Sequence, residues 1–187
     1  MDKRARAIAY VRANEGGFSD HPDDPGGATN HGISLRHARA VGDIDGDGFA
    51  EFDLDRDGRV TAEDIRAMPM STAIGYYELL YDKWRIGEIE EPAIAIKIFD
   101  LCFPMGFGGA SRVVQRALRA CGNPVLEDGV MGSKTIAAIN GMGQPAYLMI
   151  ALNCEAAGYF RCLKSKSFEA GWLTRAYRLP FQEKIYD

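Results

Sequence analysis

Apolar residues recur at helical spacing along most of this chain, and alternation at period two is nearly absent. Ala5, Ile8 and Val11 share one face, which predicts a helix over 3–14 with Glu15 at its C-terminal edge and Gly16-Gly17 ending it. Residues 16–33 are expected to form a loop with room for short strands. Ser34 is placed to cap a short helix over Leu35–Val41, and Pro69 stops another over Thr61–Met68. Ser71 is expected to cap a helix carrying Ile74, Tyr77, Tyr81 and Trp84 on one stripe. Pro92 suits a first helical position, and Ala93–Phe103 is apolar nearly all round, as a central buried helix would be. Ala110, Val113, Val114, Ala117, Leu118 and Cys121 repeat the helical pattern. Ser133 is expected to cap a short helix, and Pro145 to open a long one reaching about Leu163. The tail 168–187 carries Trp172, Tyr177, Phe181 and Tyr186. The expected fold class is mainly α with a small loop and short-strand lobe. No repeat or low-complexity linker divides the chain, so a soft boundary near Glu91-Pro92 separates expected regions 1–91 and 92–187.

Composition narrows the picture. The 187 residues are 47% hydrophobic and 26% charged, as in an ordinary soluble globular protein of one domain or a domain with a small annex. A net charge of −4 without a long basic run argues against nucleic acid as the main partner. No apolar run is expected to reach the ~20 residues of a transmembrane helix. The N-terminus is too short and polar for a signal-peptide core, so accumulation in the cytoplasm is expected. Cys102, Cys121, Cys154 and Cys162 have no metal-ligand spacing and are expected to be reduced, buried, small hydrophobes, with a disulfide pair left open.

Residues 42–59 are different material. Asp53-x-Asp55-x-Asp57-Gly58-x-Val60-x-x-x-Asp64 fits an EF-hand calcium loop at positions 1, 3, 5, 6, 8 and 12. Carboxylates at alternate positions of a tight turn converge on one hard cation. Arg59 would offer only its backbone carbonyl, and Thr61 could act through water. Asp64 is either the twelfth-position ligand or, with Thr61, half of a capping box. A poorer match at Asp43, Asp45, Asp47, Gly48 and Glu51 overlaps this window, so one complete site with a structural Ca2+ is expected. The alternative is a solvated acidic loop, which six Asp within fifteen residues would make repulsive without a counter-ion.

The stretch from Glu15 to Ile33 carries the chemistry. Glu15 ends a helical pattern and Asp24 follows nine residues later, with Gly-Gly and Asp-Pro breaks around them and Thr29 five residues on. Glycoside hydrolysis uses two carboxyl groups at a fixed separation, and Gly and Pro make loops that can hold them. Asp20 and Asp23 offer the same chemistry as Asp24, and Asp24-Pro25 could simply initiate a turn.

Glu15-Gly-Gly-Phe-Ser, then Asp23-Asp24-Pro-Gly-Gly-Ala-Thr29-Asn-His-Gly-Ile33, resembles the signature of glycoside hydrolase family 108, N-acetylmuramidases found as phage endolysins and bacterial wall-cleaving relatives. Thr61–Met68 and Tyr81-x-x-Trp84 resemble further elements of that family. From Pro92 on, Phe99-Asp100, Met105-Gly106, Val114-Gln115-x-Ala-Leu118, Asp128-Gly129-Val130-x-Gly132-x-x-Thr135 and Gly171-Trp172-x-x-Arg175 resemble its peptidoglycan-binding half. The acidic stretch is then an insertion, about 42–64, into that plan.

The resemblance implies a lysozyme-like helical fold and cleavage of the β-1,4 bond between N-acetylmuramic acid and N-acetylglucosamine. Glu15 would be the general acid, with Asp24 activating water and Thr29 helping to hold it, by similarity to the Glu, Asp, Thr arrangement of phage-type lysozymes. His31, Gln115, Asp128, Thr135 and Trp172 would contact glycan or stem peptide, unless they serve as turns, caps and core aromatics. A monomer acting on bacterial peptidoglycan is implied, its release dependent on a separate holin-type protein. Pro104, Ser133 and Phe18 depart from the usual Asn, Pro and Tyr. Two other outcomes stay open: a non-catalytic, calcium-stabilised wall-binding protein, and a lytic transglycosylase using the same Glu15.

Overall fold

The computed structural model describes residues 2–21 and 26–180. The chain is mainly α and lysozyme-like: among the described residues there are eight α-helices and one two-stranded sheet. They follow the order α1 (Lys3–Asn14), β1 (Thr29–Asn30), β2 (Ile33–Ser34), α2 (Leu35–Val41), α3 (Ala62–Ala67), α4 (Met70–Lys83), a 3-10 turn at Ile86–Glu88, α5 (Pro92–Ala120), α6 (Ser133–Asn140), α7 (Pro145–Cys162) and α8 (Glu169–Tyr177). Contacts divide the chain into two compact units, 12–78 and the remainder, with the divisions inside α1 and α4.

In the 12–78 unit, β1 and β2 pair antiparallel with Thr29 opposite Ser34 and Asn30 opposite Ile33. The two-residue connection, His31-Gly32, has φ of 48° and 73°. Positive φ at both positions is the mark of a type I′ turn, whose twist matches that of the strands. Ser19 extends the pairing, exchanging two backbone hydrogen bonds with Thr29. Ser34 caps α2 by accepting from the His37 N–H, as expected. Thr61 and Asp64 form a complete capping box at the start of α3. Ile33, Phe52, Ile65, Met68, Tyr76 and Tyr77 are buried in the core of this unit. Phe52 meets Tyr76 edge to face at 5.1 Å, and Tyr76 Oη and His37 Nε2 share a 2.9 Å hydrogen bond.

Two expected caps are not caps. α4 begins at Met70, directly after Pro69, so Ser71 lies inside the first turn, and the Pro69 carbonyl accepts from Thr72 and Ala73 N–H. α6 takes Gly132 as its N-cap, and the Ser133 hydroxyl accepts instead from Arg85 Nη2 at 3.3 Å.

In the other unit, α5 packs on α6 and α7, and α7 on α8. α5 begins at Pro92 with Glu91 capping the Ala93 N–H. It is broken at Gly106 (φ 68°, ψ 158°), two residues after Pro104, which has no N–H to give the ladder. By length and composition α5 could cross a membrane, but Lys97 and Asp100 interrupt its apolar run and most of it is buried in the fold, as in a core helix. Trp84 stacks on Phe107 at 5.2 Å and meets Phe99 and Phe103 edge-on. Trp172 stacks on Phe160 at 5.4 Å.

Two buried charges on α5 hold α8. Lys97 Nζ donates to the carbonyls of Arg175, Ala176 and Arg178 at 2.7–2.9 Å, one acceptor for each ammonium proton. These carbonyls lie at the C-terminal end of α8, where intrahelical donors run out. Burial pushes the Lys97 pKa down to about 8, against the pull of Asp100. Asp100, fully buried, pairs with Arg175 at 2.8 Å.

The cysteines are all free, but only Cys102 is buried; Cys121 is half-buried, and Cys154 and Cys162 are exposed because they fall on the solvent side of α7.

Candidate active site

Glu15 follows directly on α1 and is half-buried. Its carboxyl packs against the His31-Gly32 turn so closely that a Cβ at Gly32 would lie 2.6 Å from Glu15 Cδ and from Oε2. Only glycine fits there, for space and for its φ of 73°. The turn is tied to its surroundings at two points. Buried Asn30 donates from Nδ2 to the Ile65 carbonyl at 3.0 Å and the Arg66 carbonyl at 3.4 Å. The Tyr77 hydroxyl donates to the His31 carbonyl. Arg66 lies 4.1 Å over the Phe18 ring, beside the Gly-Gly break after Glu15.

Of the residues expected at this site, Thr29 and His31 flank Asn30 on the same hairpin as Gly32. Thr29 Oγ1 donates to the Gly27 carbonyl at 3.2 Å. Asp24, like Asp23, lies outside the described residues; Asp20 is exposed. The sequence did not single out Asn30, Gly32 or Tyr77 for a role at the acid. The Asn-His-Gly tripeptide is a turn signal that could have pointed to Gly32, but Tyr77 shows only as one position on a helical stripe.

Gln115, Asp128 and Thr135 also come together. Gln115 Nε2 donates to Asp128 Oδ1 (2.7 Å), the Val130 carbonyl (3.1 Å) and Thr135 Oγ1 (3.4 Å), while its Oε1 accepts from the Gly129 N–H (2.9 Å). Asp128 also accepts from the Val130 N–H at 2.8 Å. Gln115 and Thr135 are buried, and these bonds hold the 128–130 turn. The Val130 N–H and the Gln115 side chain hold the Asp128 carboxyl below its ordinary pKa. Trp172 belongs to the aromatic cluster of α7 and α8.

In the acidic stretch, ligand-capable oxygens of Asp53, Asp55 and Asp57 lie within 4.8 Å of one another, as do those of Asp43, Asp45 and Asp47. The two turns repeat one hydrogen-bond pattern: Gly58 N–H donates to Asp53 and Gly48 N–H to Asp43. Asp53 is buried. On Asp55, the Asp57 N–H works to lower the pKa, but burial and the charges of Asp57, Asp64 and Asp53 overcome it and raise it. Glu51 is raised by burial and by Asp45, Asp47 and Asp43. Asp64 stands outside the converging trio. Its carboxylate accepts from the Leu54 N–H at 3.0 Å, the Thr61 N–H at 2.8 Å and Thr61 Oγ1 at 2.7 Å. Burial works to raise Asp64, and these bonds outweigh it and leave its pKa lowered. The donors are hard oxygens, the kind Ca2+ takes.

A helical, lysozyme-like chain with a glutamate packed at a helix end against a glycine turn has the plan of a glycoside hydrolase. Residues 8–106 match the family described as Glycosyl hydrolase 108, and residues 109–177 match the Predicted Peptidoglycan domain. The chain belongs to glycosyl hydrolase family 108. It is similar to the solved structure of Brucella abortus SagA, with a TM-score of 0.71 and 26% identity over 92% of this chain and 88% of that one. No curated protein matches it. The first matched segment ends at Gly106, the break in α5. Together the two matches define a peptidoglycan-directed glycosidase of the muramidase type.

Proposed function

We propose that the protein hydrolyses the β-1,4 bond between N-acetylmuramic acid and N-acetylglucosamine, with Glu15 as the general acid. The observation that carries this reading is the close packing of the Glu15 carboxyl on Gly32 within the segment matching the hydrolase family. A general acid must hold its proton near neutral pH, and partial desolvation favours the neutral carboxyl. Glu15 then protonates the glycosidic oxygen as the bond to C1 breaks. Asp24 deprotonates the attacking water and Thr29 helps to hold that water. This arrangement inverts the anomeric centre, and it requires a carboxyl separation of ~6.5–9.5 Å.

Ca2+ is the proposed ligand of Asp53, Asp55 and Asp57, with the Arg59 carbonyl, in a structural role. Asp64 serves this loop through the capping box of α3. When bound, the cation would neutralise the repulsion that raises Asp55.

Replacing the acid tests the reading. Glu15→Gln should abolish lysis of purified cell walls while leaving pelleting with peptidoglycan intact. Lysis by this variant at the wild-type rate would remove Glu15 from its role, and wild-type protein that pellets without releasing fragments would be a wall-binding protein instead.

A further inference from the structure

We propose that Asn30 and Tyr77 are positioning residues for Glu15, acting on it through the His31-Gly32 turn; this rests on Glu15 being the acid. β1 and β2 have two residues each, and so short a ribbon does not hold its own shape in water. Yet its turn presses on the Glu15 carboxyl with no room for a methyl group. The turn must be fixed from outside, and the two anchors do this from opposite ends of the chemistry.

Asn30 immediately precedes the turn and is 5% exposed. Its planar amide supplies N–H donors to the carbonyls of Ile65 and Arg66. Those carbonyls belong to the last turn of α3 (Ala62–Ala67), where helix carbonyls lack intrahelical partners. Asn30 thus caps α3 from the side while pinning β1. Tyr77, fully buried on α4, reaches the turn itself and donates to the His31 carbonyl. His31 is held at φ 48°, a conformation that costs a non-glycine residue energy and persists only where surroundings impose it. One helix holds the strand, the other holds the turn, and Gly32 transmits both constraints to Glu15. The start of α3 is itself set by Thr61 and Asp64, so hydrogen bonds run from the end of the acidic stretch through α3 to Asn30 beside the turn.

Loosening either anchor lets the turn withdraw and water reach the Glu15 carboxyl. The acid is then displaced, and water at the carboxyl favours its charged form. The test uses Tyr77→Phe, which keeps the ring, together with Asn30→Asp, which keeps the shape but replaces donors by acceptors facing carbonyls. Asn30→Ser, which restores a short donor, serves as the rescue variant. Rates on purified peptidoglycan are measured per folded molecule across pH. For Tyr77→Phe the expected result is a fall in kcat of about tenfold or more with KM within about twofold, since small misplacements of a reacting group carry losses of this order. The alkaline limb of the rate profile should move to lower pH, and Asn30→Ser should recover part of what Asn30→Asp loses. Should Asn30→Asp not fold, Tyr77→Phe alone decides. An unchanged kcat and alkaline limb in folded Tyr77→Phe would overturn the proposal. Full activity in Glu15→Gln is a separate result that would sink the reading of Glu15 itself.

Discussion

At the scale of single residues, the site is a carboxyl and the glycine beneath it. Glu15 was legible in the sequence as the candidate acid because it closes a helical pattern before a Gly-Gly break within an extended family signature. Its immediate neighbour was not, because Gly32 meets Glu15 through a hairpin whose register no local pattern records. The structure makes Gly32 a test of the acid's placement. Gly32→Ala puts a Cβ 2.6 Å from the Glu15 carboxyl and places alanine at φ 73°. The backbone conformation alone should cost roughly 1–2 kcal/mol of stability. The displaced acid should lose activity by about tenfold or more, beyond what the stability loss explains, by the same sensitivity to position. Paired rate and denaturation measurements check both. For Gln115, Asp128 and Thr135 the sequence offered either contacts to glycan or stem peptide or roles in turns and caps, and the structure shows the bonds by which they hold the 128–130 turn.

At the scale of elements, helical spacing located α1, α2, α3 and α7 to within a residue or two and marked the starts of α4 and α6, while the two apolar stretches at 93–103 and 110–121 are one element broken at Gly106. α8 was the exception: nine residues with one fully buried position carry too little pattern, and packing on α7 together with the Lys97 and Asp100 bonds from α5 gives it a place. Ser71 and Ser133 misled because a serine near a helix start is a cap only if the chain bends before it. The spacing of the acidic stretch suggested a metal loop, whereas the engagement of Asp64 in the capping box depends on how α3 begins. If the loop holds Ca2+ structurally, calcium at a hundredfold excess over Kd should raise stability by about 2.7 kcal/mol relative to chelator. Melting curves in the two buffers check this, and coincident curves would remove the ion from the account. Tyr76 ties this stretch to α2 and gives the unit an alkaline limit. Burial, with the Glu51 charge, pushes its pKa up to about 12 from 10.0. Between these values the unfolded chain has released a proton that the folded one keeps, so stability falls as pH rises from 10 to 12. Tyr76→Phe should flatten that slope in denaturant titrations at pH 10 and 11.5.

At the scale of the molecule, two sequence elements that resemble separate halves of one family turn out to be bonded. Asp100 lies in the segment matching the hydrolase family and Arg175 in the segment matching the peptidoglycan domain, and they pair in the protein interior beside Lys97. Their sequence separation of 75 residues hid this partnership, though both motif positions were visible. Arg175→Ala takes from buried Asp100 its hydrogen-bonded partner, leaving only the nearby Lys97 charge, and should cost about 3 kcal/mol in chemical denaturation. A loss below ~1 kcal/mol would mean that the pair is not what holds α8. The central claim, a muramidase with Glu15 as its acid, is tested most directly by reducing and identifying the new sugar ends that the enzyme releases from purified peptidoglycan. The account predicts reduced N-acetylmuramic acid ends with wild type and none with Glu15→Gln; reduced N-acetylglucosamine ends, 1,6-anhydro ends, or equal release by the variant would contradict it.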